Sequence, residues 1–399
     1  MTGVMPEIRE LLSEALGYDP AGDLESLARA APPRWVVYLM TDEADRPVQL
    51  LCVRNLRDSL RRRLSAAEEA GPSRRVDYRR IVRHIYYRRV DGVFEADWVY
   101  YEAARRVFPT TYQGMVGFRP AWFVHVNPDA EFPRYTKTND PTRRDGLVLG
   151  PLEDKHAAAR LIELAEDSFD LCRYHNILVQ SPNGSACAYK GMGKCPAPCD
   201  GSISMPQYRG LIEWSARVLV EPAEMVSQQT DRMRQAGAEL RFELAARIKS
   251  YVAQLSQLGQ GAFRHVRLLA DFRFITMQPG PKKGTAKVWI IRPGGIEEVC
   301  GLIAKPDAGE LLRDLRERID RHDEPLDRNG AEQIGIVAHH LFAAKTVPGA
   351  FLHARDCDEA SILKAWAALA RQKEQVPVEG EGVLKELATL DEARGDSAT

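Results

Sequence analysis

The chain has 399 residues, 44% hydrophobic and 28% charged, with a formal net charge of −1, which fits a globular protein of about two to four domains. No apolar run reaches the length of about eighteen residues needed to span a bilayer, and the opening MTGVMPEIRELLSEALGYDP lacks the basic-then-apolar layout of a secretory signal, so neither a membrane span nor export is expected and a cytoplasmic location is. Seven cysteines, odd in number and clustered, argue against a disulfide framework and for reduced thiols, some of them candidate metal ligands.

Residues 1–32 read as a helical lead-in ending at Ala31-Pro32-Pro33, where proline breaks the pattern. The apolar runs WVVYLM and VQLLCV, separated by the turn-rich TDEADRP, predict a hairpin. From Leu51 to Val90 there are twelve arginines against four acids, with Tyr78, Tyr86 and Tyr87 interleaved. This stretch reads as arginine-rich helices, either a solvated helix surface or a footprint for phosphates. In the second reading Arg54, Arg57, Arg61, Arg62 and Arg63 are the candidate contacts to double-stranded DNA. FEADWVYYEAARRVF reads as a helix stopped by Pro109, and the strand-like AWFVHV and FPRYTKT complete a small α/β unit over 33–146.

A helical stretch, the main group of cysteines and the helix YRGLIEWSARVL occupy 147–222. Residues 223–258 are a long helical pattern with a dip near Gly237, read as an antiparallel helix pair. Beyond them, 259–375 read as an α/β unit. It holds strands in RHVRLLADFRFITMQ and KVWIIRPGGIEEVCGLI with a Pro-Gly-Gly turn, then helices around 307–320, 330–344 and 359–374. The polar residues 376–399 are expected to be a flexible tail. The fold class expected is α+β and multidomain.

Cys172, Cys187, Cys195 and Cys199 fall within one short segment, and the last two flank Pro-Ala-Pro, a stiff turn that brings two thiols to one centre. Four cysteines at this density fit a four-thiolate site for zinc or for an iron–sulfur cluster, and spacing alone does not separate the two. Cys52, Cys300 and Cys357 read as buried, inert thiols.

The segment CAYKGMGKCPAPCDG resembles the UvrC family of bacterial nucleotide excision repair. There a cysteine is followed by a tyrosine-containing stretch and then Ile-Gly-Arg-Cys-x-x-Pro-Cys-x-Gly. Leu149-Gly150-Pro151 and FPRYTKT are similar to further family motifs. The resemblance implies a [4Fe-4S] cluster on Cys172, Cys187, Cys195 and Cys199, with zinc as the alternative. AGAELRFELAARIKSYV is similar to the UVR motif through which UvrC binds UvrB, its core kept at Leu240, Phe242, Glu243, Ala245, Ala246 and Arg247. Ala238, Phe242, Ala245 and Ala246 are three or four apart, the spacing of one helix face.

The resemblance implies that the first unit is a GIY-YIG nuclease module, and residue-by-residue register makes it a degenerate one. Tyr38 keeps the first family tyrosine, while Gln49 stands at the second. Cys52 stands where the family has Gly-Lys, Ser59 at the catalytic arginine and Tyr100 at the metal-binding glutamate. The chemistry needs a carboxylate to hold a divalent metal against the phosphate. Asp97, on roughly the same helix face as Tyr100, is the one stand-in. His339 and His340 are adjacent in a helix, about 100° apart, a poor metal pair.

The expected function is therefore a UvrC-like repair protein that binds DNA and UvrB, or another UVR-type partner, without cutting. The alternative is an active single-incision endonuclease with rearranged ligands, needing a divalent metal. A third class is a redox or iron sensor that reuses the scaffold.

Overall fold

The computed structural model describes residues 4–65, 77–320, 326–343 and 348–371. Among them are fourteen α-helices and three four-stranded sheets, so the architecture is mixed α and β. All strand pairs are antiparallel.

The amino-terminal part runs α1 (Val4–Leu11), β1 (Glu14–Gly17), α2 (Leu24–Ala30), β2 (Val36–Thr41), β3 (Pro47–Val53), α3 (Leu56–Leu64), α4 (Tyr78–Ile81), β4 (His84–Arg89) and α5 (Val93–Val107), with the sheet ordered β1-β4-β2-β3. The hairpin of β2 and β3 is where the sequence puts it. Two strands correct the expectation. Glu14–Gly17 pairs with β4 as an edge strand inside the supposed helical lead-in, and His84–Arg89, read as part of the arginine-rich helices, is a central strand. The two-residue side-chain period then splits the sheet. Val36, Tyr38 and Met40 face α3 with Leu51 and Leu60, whereas Val37, Leu39 and Leu50 face α5 with Tyr86.

The middle part runs β5 (Trp122–Val126), β6 (Thr136–Thr138), β7 (Leu147–Leu152), α6 (Lys155–Ser168), α7 (His175–Leu178), α8 (Ala188–Gly191), α9 (Met205–Val220), α10 (Ala223–Ala238), α11 (Phe242–Leu255) and β8 (Arg267–Leu268), with the sheet ordered β6-β5-β7-β8. Strands β5 and β6, grouped by sequence with the first unit, pair with each other, and β5 pairs on its other side with β7, so the pairing runs across the expected boundary at 146. After the hairpin of α10 and α11 the chain returns to this sheet, where β8 pairs with β7. Ser204 and Gln207 form a capping box that starts α9, satisfying donors that the first helical turn leaves open.

The carboxy-terminal part runs β9 (Phe274–Pro279), β10 (Ala286–Arg292), β11 (Gly295–Leu302), α12 (Ala308–Ile319), α13 (Arg328–Phe342), β12 (Ala350–His353) and α14 (Glu359–Arg371), with the sheet ordered β11-β10-β9-β12. Ile275, Met277, Val288 and Ile290 pack beneath α12 and α14. Phe274, Trp289 and Ile291 point the other way and share a core with α5, α13 and the first sheet. The tail expected at 376–399 lies outside the described residues.

Candidate functional sites in the first sheet, the cysteine segment and the helical hairpin

The residues matched to the nuclease positions do not converge. Tyr38 is fully buried on the α3 face, its hydroxyl 2.9 Å from Ser59 Oγ, and burial pushes its phenol up. Gln49 is on the same side and accepts from Arg63 Nη1 at 2.8 Å. Cys52 and Tyr100 belong to the core on the opposite face. Trp35 Nε1 donates to the Cys52 sulfur at 3.1 Å, and burial raises both the Cys52 thiol and the Tyr100 phenol to about 12. Asp97 accepts from His340 Nε2 at 2.9 Å. The histidine pair thus splits as its helix spacing requires, with His340 buried and His339 exposed. Among the described residues, no three His, Cys, Asp or Glu side chains stand together at metal-ligating separation.

Two other carboxylates of α5 do something the sequence pattern did not signal. Glu95 is 0% exposed and both its oxygens meet Lys287 Nζ from β10, at 2.7 and 2.8 Å. Asp91 completes the cage at 2.7 Å. Burial pushes the Glu95 carboxyl up and Lys287 pulls it back. On the lysine side the two carboxylates outweigh burial and hold the ammonium charged, and that ion-paired state is the one the 2.7–2.8 Å geometry fits. Glu102, 3% exposed, is held by Arg106 at 2.9 Å and Arg105 at 3.3 Å.

Of the arginines proposed to meet DNA, most already have work within the chain. Arg57 donates to the carbonyls of Ala28, Arg29 and Ala31 at the end of α2, supplying acceptor-rich helix C-terminal groups with a cation. Arg61 is paired with Glu25 at 2.7 Å. Arg63 lies 5.9 Å from the Tyr78 ring centre and Arg54 5.7 Å from that of Trp35. Arg62 is exposed.

The cysteine segment follows α6 in the chain. Cys172, Cys195 and Cys199 are buried, and Cys187 is half-buried at the N-cap of α8. The Cys172 thiol donates to the Tyr174 carbonyl at 3.6 Å, and its interaction with Cys195 favours the protonated form on Cys172 and the thiolate on Cys195. Cys199 is raised, chiefly by burial and then by its neighbours Asp200 and Cys195. The turn that gathers these sulfurs needs left-handed backbone at Ala197, φ 55°, and at Gly201, φ 79°. For alanine that conformation is strained, and the strained residue turns its own N–H toward the Cys195 sulfur. Backbone donors aimed at sulfur favour the charged form. Cys172, Cys195 and Cys199 are thus buried sulfurs of the donor type that binds a thiolate-held group, although among the described residues they do not stand at metal-ligating separation.

In the hairpin, the chain turns at Glu239, Leu240 and Arg241, so Ala238 closes α10 and Phe242 opens α11. This corrects the single helix face expected to carry both. The roots are anchored: Met225, Val226, Tyr251 and Leu255 pack on the middle core. The tip is bare, with Leu240 72%, Phe242 67% and Leu244 42% exposed. Glu243, Ala246 and Arg247 are exposed beside them and Ala245 is half-buried. Leu240 has φ 61°, which costs a branched side chain about 1–3 kcal/mol.

The model of the UvrC/Cho excinuclease middle domain matches residues 121–216, which take in β5 to most of α9 and all four clustered cysteines. Residues 121–216 are therefore similar to the middle domain of the UvrC/Cho excinucleases. UvrABC system protein C of Syntrophomonas wolfei is 25% identical over 249 residues, covering 61% of this chain and 37% of that protein. The Caldanaerobacter subterraneus protein of the same name is 23% identical over 241 residues, 60% of this chain and 39% of its own. That of Salinispora arenicola is 26% identical over 205 residues, with shares of 48% and 30%. The chain thus covers well under two thirds of these relatives' lengths. No solved structure matches it. Among the described residues no helix is long and apolar enough to cross a membrane.

Proposed function

We propose that this chain is a UvrC-like protein of nucleotide excision repair that binds double-stranded DNA and a UvrB-type partner, and that its amino-terminal part is a GIY-YIG module that no longer cuts. The observation that carries this reading is the dispersal of the matched positions. Tyr38, Gln49 and Ser59 lie on one face of the sheet while Cys52 and Tyr100 lie on the other, and the stand-in Asp97 is bonded to His340. A metal-assisted phosphodiester cleavage needs its carboxylate and its water-activating group on the same phosphate; two faces of one sheet do not supply that.

In this reading Cys172, Cys187, Cys195 and Cys199 hold a [4Fe-4S] cluster, or zinc in its place, and the bound group supplies a crosslink that fixes the segment between α6 and α9. The exposed tip residues Leu240, Phe242 and Leu244 provide the partner face, flanked by Glu243 and Arg247. Apolar side chains that no intrachain contact covers are what a partner helix buries.

The deciding experiment is an incision assay on damaged duplex with Mg²⁺ or Mn²⁺. The expected result is no incision. Metal-dependent cutting that Asp97→Ala abolishes would overturn the reading and establish an active single-incision enzyme. Capture of purified UvrB by the wild type and loss of capture by Phe242→Ala test the partner face, and equal capture by both rejects it.

A further inference from the structure

Beside the buried sulfurs, on the surface, two aromatic rings and several cations are brought together. Tyr174, at the N-cap of α7, is 46% exposed. Its ring lies 5.8 Å from that of Tyr189 at an interplanar angle of 51°. The Arg173 guanidinium stands 4.4 Å from the Tyr189 ring centre. This group is built rather than incidental. Tyr189 is rooted against the middle core, and Arg173 is paired with Asp167 while its Nη1 donates to the Lys194 carbonyl at 3.2 Å. With the Lys194 N–H donating to the Tyr189 carbonyl at 2.9 Å, that bond holds the backbone of the exposed Lys194 beside Tyr189. The exposed Arg134 is near enough to His175, the residue after Tyr174, to act, after burial, in lowering its pKa.

An outer ring resting on an inner one, the inner ring backed by a guanidinium and the pair bordered by ammonium and guanidinium groups, has the chemistry that receives an unpaired base. Each base offers a π-face for stacking, and the phosphates on either side of it meet the flanking cations. A duplex keeps its bases inside and gains nothing from an exposed tyrosine. An apolar protein partner gains nothing from the charged border.

We propose that Tyr174, supported by Tyr189 and Arg173 and flanked by Lys194 and Arg134, is a stacking platform for single-stranded DNA. The proposal rests on the reading that this chain acts on DNA, and it names the form of DNA and the residues that take it.

The test is fluorescence anisotropy of the full chain with a short labelled oligothymidine and, separately, a labelled blunt duplex. Tyr174→Ala is expected to weaken oligothymidine binding by about 5-fold or more, the scale of one base–aromatic stack, with duplex binding unchanged. Tyr174→Phe, which keeps the ring, restores wild-type affinity. Lys194→Ala, a surface change, lowers the slope of log affinity against log salt by about one phosphate contact. Wild-type oligothymidine affinity in both Tyr174→Ala and Lys194→Ala overturns the platform, as does an equal loss on the duplex. If the wild type binds neither probe, the DNA-binding reading itself fails. If it binds the duplex normally while the single strand ignores Tyr174, only the platform fails.

Discussion

Helices α5 and α11 each break the ordinary rule of burial, in opposite senses. Helix α5 sinks carboxylates, Glu95 at 0% and Glu102 at 3% exposure, while α11 holds a phenyl ring out at 67%. The difference lies in where compensation comes from. For α5 it is inside the chain: Lys287 reaches Glu95 from a strand 192 residues away, and Arg105 and Arg106 cover Glu102. At α11 and the turn before it, Phe242 and Leu240 stay mostly open to solvent. The carboxylates of α5 are balanced within the chain, whereas the apolar side chains at the tip remain open to solvent, which is the feature the proposed partner face rests on.

The strongest way to break this contrast is to remove the internal compensation. Lys287→Ala leaves Glu95 and Asp91 without their shared cation and is expected to destabilise the fold by about 3–5 kcal/mol, measured by urea unfolding. Glu95→Leu with Lys287→Met and Asp91→Asn, which removes all three charges of the cage, should recover most of that loss, since well-packed uncharged side chains replace a buried ion cluster at little cost. Recovery no better than the single change would mean that the packing around β10, not the charge, decides.

The next effect is one of pH. Burial, and then the neighbouring Arg264, lower His265 from 6.5 to about 4. A histidine whose folded pKa is depressed stabilises the fold fully above the unfolded value, and that contribution is lost as pH falls from about 6.5 toward 4. Thermal unfolding across this window should show a decline that His265→Asn flattens; an unchanged slope in the variant would place the effect elsewhere.

Smaller still is the capping box: Ser204→Ala should cost about 1 kcal/mol, read by the same unfolding curves. Smallest is Phe242→Ala, expected within about 0.5 kcal/mol of wild type even though it removes a large apolar side chain. A loss of several kcal/mol there would show that the ring is part of the core after all and collapse the contrast with α5.

How far the sequence carries one into this structure depends on whether the signal is local. The hairpin of β2 and β3, helix α6, the pair α10 and α11 and the turn between β10 and β11 all have period and turn chemistry in their own residues. Glu14–Gly17 does not. Glu-Ala-Leu is helix-favouring, and only pairing with β4 makes it a strand, a tertiary override of propensity. His84–Arg89 hides for a related reason: its charged residues suggest an exposed helix, yet Arg89 is taken up by Glu14 at 2.7 Å and Arg88 by Glu298 at 2.6 Å. The cysteines and the hairpin were legible as motifs. The partners of Asp97 and Glu95 were not, because His340 and Lys287 stand about half a chain away. The platform of Tyr174 did leave a trace, in the Arg-Tyr-His that follows Cys172, overshadowed by the sulfur beside it.

The hairpin is spliced between two strands of a single sheet, leaving after α9 and rejoining at β8. Its sixteen- and fourteen-residue legs make an arm roughly 20 Å long at 1.5 Å per residue. Both legs are rooted in the core that also contains Cys172 and Cys195. A displacement of the tip would therefore be carried into the same packed core that holds two of the clustered cysteines.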